Sequence, residues 1–225
     1  MLSTSILAAS SQQRKQEASL SATAYRLIKE KIISLVLPPA ALIDESALAR
    51  DLGIGLTPVR QALRRLAMEN LVVILPRRGT LVADLNLSDL QKIYEIRIEL
   101  EGLACRLAAE RATAEQLEQM TRLMQDALLL RSEGDNRQML AADHQLHMLI
   151  AQAAHNEFLE EMLERLYGHV LRLWNVSIHR VSGLQEAIDE HNLILEAIQA
   201  RNGPAAGQLM QQHIRRFQTE FLSTI

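Results

Sequence analysis

Asp51 to Gly79 reads DLGIGLTPVRQALRRLAMENLVVILPRRG, and its punctuation decides the fold. Gly53 follows the apolar positions Leu48 and Leu52 and fits the residue just past a helix, where a left-handed backbone is needed. Thr57 can cap the next helix, with Pro58 at its first helical position, where a missing N–H costs nothing. Val59, Leu63 and Leu66 then recur at helical spacing as an inward stripe, while Arg60, Arg64 and Arg65 lie off it. Leu71–Leu75 is apolar and β-branched, and Pro76-Arg-Arg-Gly79 turns it back into Thr80–Ala83.

A helix, a tight turn, an arginine-bearing helix and an Arg-tipped hairpin make a winged helix-turn-helix. Its second helix enters the major groove with its N-terminal residues at the base edges. The alternative is a plain helical hairpin with solvated arginines. The sequence from Thr57 to Leu85 resembles the winged helix of GntR-family transcription regulators through Thr57, Pro58, Arg60, Ala62, Leu63, Leu66, Arg78 and Gly79. The resemblance implies contacts to double-stranded DNA from Thr57, Arg60, Arg64, Arg77, Arg78 and Gly79. Two positions depart from the pattern. Gly55-Leu56 replaces the usual Ser-Arg, and Gln61 replaces the usual Glu; an arginine at position 56 would reach a base or phosphate, so the resemblance does not carry the usual half-site over to this chain.

The wider composition fits a helical protein. Hydrophobic residues make up 48% of the 225 and aromatics only 3%, with few glycines and prolines. The single cysteine, Cys105, excludes an internal disulfide and fits a reducing, cytoplasmic setting. No apolar run approaches the ~18–20 residues of a membrane span, and the N-terminus lacks the basic start of a signal peptide. The net charge of −3 hides an asymmetry. Residues 1–84 carry 11 basic and 7 acidic side chains, and residues 85–225 carry 13 and 20. A basic head beside an acidic body suits a DNA-binding module on a partner that avoids DNA.

Taken in order, residues 1–17 read as a flexible arm and 18–84 as the winged helix-turn-helix, with three helices and a small β-hairpin wing. Ala22–Leu37 is its first helix, stopped by Pro38-Pro39, and Ala41–Ile43 can add a strand to the wing. Asp44 or Ser46 caps the second helix. Residues 85–225 read as an all-helical effector-binding and dimerisation domain. Capping boxes at Ser88-x-x-Gln91 and Thr113-x-x-Gln116, and breaks at Gly134-Asp135, His155-Asn156, Ser182-Gly183 and Asn202-Gly203-Pro204, predict six helices. They span 88–111, 113–133, 135–154, 156–181, 183–201 and 204–222, and short loops make neighbours antiparallel. The fold class is therefore mainly α, a winged helix followed by a six-to-seven-helix bundle. The first bundle helix carries Ile93, Ile96, Leu100, Leu103 and Leu107 along one side.

All seven histidines fall in the helical part. Asp143 and His147 stand one turn apart on a face shared with Leu140 and Ala151. His191 is nearly in register with Ile188, Leu195 and Ile198, and His213 lies between Leu209 and Phe217. One carboxylate and three imidazoles thus look inward from three helices. Such a set suits a divalent metal, Zn²⁺ first and Ni²⁺ or Mn²⁺ next, with positions left open. Core histidines hydrogen-bonded to carboxylates are the alternative.

The second half resembles the FadR-like GntR subgroup, whose C-terminal FCD domain is all-helical and metal-binding. Arg97, Leu100, Glu101, Asn156, Asp143, His147, Glu190-His191 and His213 match its pattern. The resemblance implies a metal at Asp143, His147, His191 and His213 that holds the carboxylate of a small organic acid. Arg97 and Arg172 are candidates to clamp that effector, although Arg97 can instead pair with Glu101. His144, His155, His169 and His179 carry no such match.

The expectation is a homodimeric repressor or activator on an inverted-repeat operator, not an enzyme, with effector binding modulating operator affinity. A metal-dependent helical-bundle enzyme, or a constitutive DNA binder with a purely structural metal, are the alternatives.

Overall fold

The structure, a computed structural model, describes residues 19–133, 135–177 and 184–223. The chain divides into two compact units, Met1–Leu85 and Asn86–Ile225. The arm, Gly134 and Ser182-Gly183 lie outside the described residues.

The first unit contains α1 (residues 19–33), β1 (Leu42–Ile43), α2 (Glu45–Leu52), α3 (Leu56–Met68), β2 (Val72–Leu75) and β3 (Gly79–Val82). Helix α1 ends before the prolines. Leu35 adopts a left-handed backbone with φ 63°, and Val36, assigned to the helix by its periodicity, is exposed. Asp44 caps α2 by accepting from the Ser46 and Ala47 amides, and Gly53 ends it at φ 62°.

Helix α3 begins earlier than its sequence punctuation implies. Gly55 is the N-cap, with no side-chain cap, and Leu56 opens the helix. Thr57 is therefore not the cap, and Pro58 sits third. Proline is tolerated there because the first four helical amides lack intrahelical partners anyway. The sheet is antiparallel in the order β1-β3-β2, with Leu42 opposite Leu81 and Val72 opposite Val82. Ala24, Ile28, Leu48, Val59, Leu63, Leu66, Leu71 and Val82 form the core beneath it.

The second unit contains α4 (Leu87–Arg111), α5 (Ala114–Glu133), α6 (Asn136–Ala153), α7 (Glu157–Ser177), α8 (Leu184–Gln199) and α9 (Gly203–Ser223). Thr113 and Gln116 form the reciprocal capping box, each side chain accepting the other's amide. The box expected at Ser88 does not form. Asn86 is the cap instead, and the Ser88 amide donates to its side chain.

Helix α4 is central, packing on α6, α7, α8 and α9. It approaches α9 most closely where two glycines meet. A Cβ on Gly207 would lie 2.8 Å from the Gly102 carbonyl oxygen. The buried side of α4 is Leu90, Tyr94, Arg97, Ile98, Glu101, Ala104, Cys105 and Ala108. The apolar row read from the sequence flanks that side: Ile93, Leu100, Leu103 and Leu107 are half-buried, and Ile96 is 49% exposed.

Candidate metal centre and nucleic-acid interface

Asp143 and His147 come from α6, His191 from α8 and His213 from α9, and one ligand atom of each lies within 4.8 Å of the others. His191 Nε2 stands 3.2 Å from both His147 Nε2 and His213 Nε2. Asp143 Oδ1 is 3.4 Å from His191 Nε2 and 3.8 Å from His147 Nε2. All four side chains are buried.

The outer partners set the tautomers. His213 Nδ1 lies 2.7 Å from Glu190 Oε2, and His147 Nδ1 contacts Glu101 Oε2. A carboxylate only accepts, so each Nδ1 carries the proton and each Nε2 turns a lone pair inward. Burial, followed by the charges of His213, His147 and Arg216, pushes His191 well below the usual imidazole range. Burial also lowers His213, with Glu190 pulling the other way. Burial alone would raise the Glu101 carboxyl, but Arg97 and His147 outweigh it and hold it at about 2.

Lone pairs and a carboxylate thus converge on one point. Asp143 is 5% exposed, and neither of its oxygens has a hydrogen-bond partner. An ionised carboxylate buried in this way costs several kcal/mol unless it is compensated. The nitrogen spacing lets one ion at ~2.0–2.1 Å touch adjacent donors. The donor set therefore fits a divalent metal better than a packed histidine core.

Beside the cluster is a cavity too narrow to admit a water molecule in this structure, and its walls include Tyr94, Arg97, His147, Trp174, His213 and Phe217. Arg97 is 2% exposed and donates through Nε to Glu101 Oε1 at 2.6 Å, with its guanidinium 4.3 Å from the Tyr167 ring. The intrahelical pair and the place at the cavity wall therefore coexist, because the pair uses Nε and leaves the guanidinium's end nitrogens for the cavity. Arg172 is buried on α7 and is not among these wall residues. On the other side of Asp143, Met124, Ala127, Met139, Ala142 and Ile188 line an apolar hollow that reaches His191.

His144 packs at a tilt of 46° against the Tyr167 ring and faces Glu164, and exposed His155 contacts Gln116. His169 is half-buried on α7, and His179 lies outside the described residues. Sequence reading missed Arg216, which bonds Glu190 through Nε and a terminal nitrogen, and missed Glu101 as the partner of His147. The position of Arg216 one turn after His213 was a signal for the first. Nothing local marks Glu101, which meets His147 across 46 residues of sequence.

In the first unit, Thr57, Arg60 and Arg64 are exposed on α3. Arg77, Arg78 and Gly79 are exposed at the wing turn, where Arg77 has φ 62° and Gly79 φ 99°. Leu56 is half-buried against the head core. The residue that replaces the usual arginine is therefore packed inward.

Residues 20–82 match the gntR family of bacterial regulatory proteins, and residues 92–216 match the FCD domain. The HTH-type transcriptional regulator McbR of Escherichia coli is 28% identical over 208 residues, covering 89% of this chain and 94% of McbR. The HTH-type transcriptional repressor RspR of Escherichia coli is 25% identical over 191 residues, covering 85% of this chain and 84% of RspR. The solved structure of E. coli McbR/YncC superposes with a TM-score of 0.81 over 91% of this chain and 97% of that one. At 24% identity that likeness speaks to the fold alone. Among the described residues no helix is long and apolar enough to cross a membrane. The chain belongs to the GntR family of bacterial regulatory proteins, as a DNA-binding transcriptional regulator with an FCD domain, and not an enzyme.

Proposed function

We propose that the helical unit binds one divalent metal, Zn²⁺ first and Ni²⁺ or Mn²⁺ next, through Asp143, His147, His191 and His213, and senses a small organic acid there. The observation that carries this reading is the convergence of inward lone pairs on a buried carboxylate that has no hydrogen-bond partner. The metal, when bound, supplies a Lewis-acidic anchor for a carboxylate. This chain's own residues do the rest. Glu101 and Glu190 hold His147 and His213 in the metal-binding tautomer. Arg97 offers its end nitrogens to the acid, and Arg172 adds buried positive charge. Tyr94, Trp174 and Phe217 give the cavity an apolar wall.

The acid changes operator affinity only if it binds one arrangement of the protein better than another. The test is operator affinity at fixed salt, with and without candidate acids, on protein of known metal content. Affinity indifferent to every acid in a metal-loaded protein would leave a constitutive binder with a structural metal.

We further propose a homodimer on an inverted-repeat site, because one head reads too few base pairs for ordinary operator affinity. The half-buried apolar row of α4, with exposed Ile96 at its centre, together with α5, supplies the contact. Sedimentation velocity is expected to give a dimer at micromolar concentration, and a monomer there would refute it.

Arg60 is assigned to a base edge, that of guanine, with Thr57 and Arg64 beside it and Arg77 and Arg78 on phosphates or the minor groove past Gly79. Arg60→Ala is expected to cost ~1–3 kcal/mol in operator binding and relax selectivity at one base pair per half-site. An unchanged footprint and affinity would remove the assignment.

A further inference from the structure

Glu45 opens α2, and its carboxylate joins the three elements of the head that face DNA in a winged helix. Oε2 accepts from Arg60 Nε on α3 at 2.8 Å, and Oε1 accepts from Thr80 Oγ1 on β3 at 3.3 Å. The backbone beneath it is fixed, because Asp44 caps α2 through the Ser46 and Ala47 amides.

The side chain of Arg60 is 56% exposed and that of Glu45 26%, so the pair contributes little to stability. Its consequence is geometric. With Nε held, the guanidinium keeps one orientation and presents its two end nitrogens outward, as a fork for the O6 and N7 acceptors of guanine. Arginine otherwise gives up much rotamer freedom when it binds. The carboxylate also penalises the wrong site. On guanine, Arg60 can bond the base and keep Glu45. On other DNA it reaches a phosphate only by leaving Glu45, which then faces the polyanion unpaired. Selectivity is such a difference between right and wrong partners.

We propose that Glu45 is a specificity-determining positioning residue. It aims Arg60 at a base edge, ties that aim to the wing through Thr80, and weakens binding to non-cognate DNA. This rests on the assignment of Arg60 to a base edge.

The test uses the full chain and two duplexes at one salt concentration: an inverted repeat selected from a random library by the parent protein, and a scrambled version. Glu45→Ala is expected to bind the scrambled duplex several-fold more tightly and to lose at least about tenfold in the ratio of the two affinities, the scale of one aligned base contact. Its melting temperature should match the parent. Glu45→Gln, which keeps an acceptor for Arg60 Nε but not the charge, is expected to recover part of the ratio. In an Arg60→Ala background, Glu45→Ala should change the ratio little further.

An unchanged ratio in Glu45→Ala, or equal weakening on both duplexes, overturns the proposal. It would then be a helix staple. If Arg60→Ala lowers the ratio and Glu45→Ala does not, only the role of Glu45 fails. If Arg60→Ala leaves selectivity intact at every base pair, the base-edge assignment fails and Glu45 falls with it.

Discussion

His213→Ala protein, purified beside the parent and analysed for metal, is expected to carry far less than one ion per chain where the parent carries one. The substitution removes one of four donors, and also the imidazole that orients Glu190 and Arg216. Loss of the acid's effect on operator affinity should accompany loss of metal. DNA binding without acid should survive, because the head packs around its own apolar core. A second readout comes from pH. His191 and His213 are both depressed from the ordinary value of 6.5, so they are already neutral near neutrality. Protons then compete with the metal only at lower pH. Metal affinity should be nearly flat above 6.5 and fall as pH drops below it. Equal metal in parent and variant would place the site elsewhere.

Glu101→Ala is expected to destabilise the bundle by about 3–5 kcal/mol, the cost of breaking a buried pair and leaving one charge behind. That is a large part of the ~5–15 kcal/mol that holds an ordinary domain together. Glu101 answers Arg97 at 2.6 Å, and also meets His147 Nδ1 and the Tyr167 hydroxyl. Without it the guanidinium, 2% exposed, has lost the counter-charge beside it on α4. The double change Arg97→Met with Glu101→Leu should recover much of the stability, because it removes both charges at similar volume. It should not recover metal affinity, because His147 then lacks the carboxylate that fixes its tautomer. Denaturant unfolding of the three proteins decides this. A Glu101→Ala protein as stable as the parent would mean that the pair is far better solvated than its burial implies.

The sequence by itself determined the elements, because their signals are local. Asp44 caps the start of α2, Gly53 ends it with a left-handed backbone, and Thr113 and Gln116 satisfy each other three residues apart. Six bundle helices follow from such breaks, and the inward stripes of α6, α8 and α9 were enough to bring Asp143, His147, His191 and His213 into one list. Some ends were misread. At α3 the cap is Gly55, whose extended backbone leaves no side-chain signature, while Thr57 and Pro58 look like a start and are not.

The tertiary structure decided what faces what. Helix α4 has an apolar row beside a face that carries Tyr94, Arg97 and Glu101, and by hydrophobicity the row should be inside. The bundle instead buries the neighbouring face, where Arg97 and Glu101 lie among Leu90, Tyr94, Ile98, Ala104, Cys105 and Ala108, and leaves the row half-buried. Arg97 and Glu101 neutralise each other there, and His147 and Tyr167 arrive from α6 and α7 to complete the set. Periodicity can place a residue on a face. It cannot tell that a buried arginine and glutamate will find partners 46 and 66 residues away, because that compensation exists only once the helices have packed.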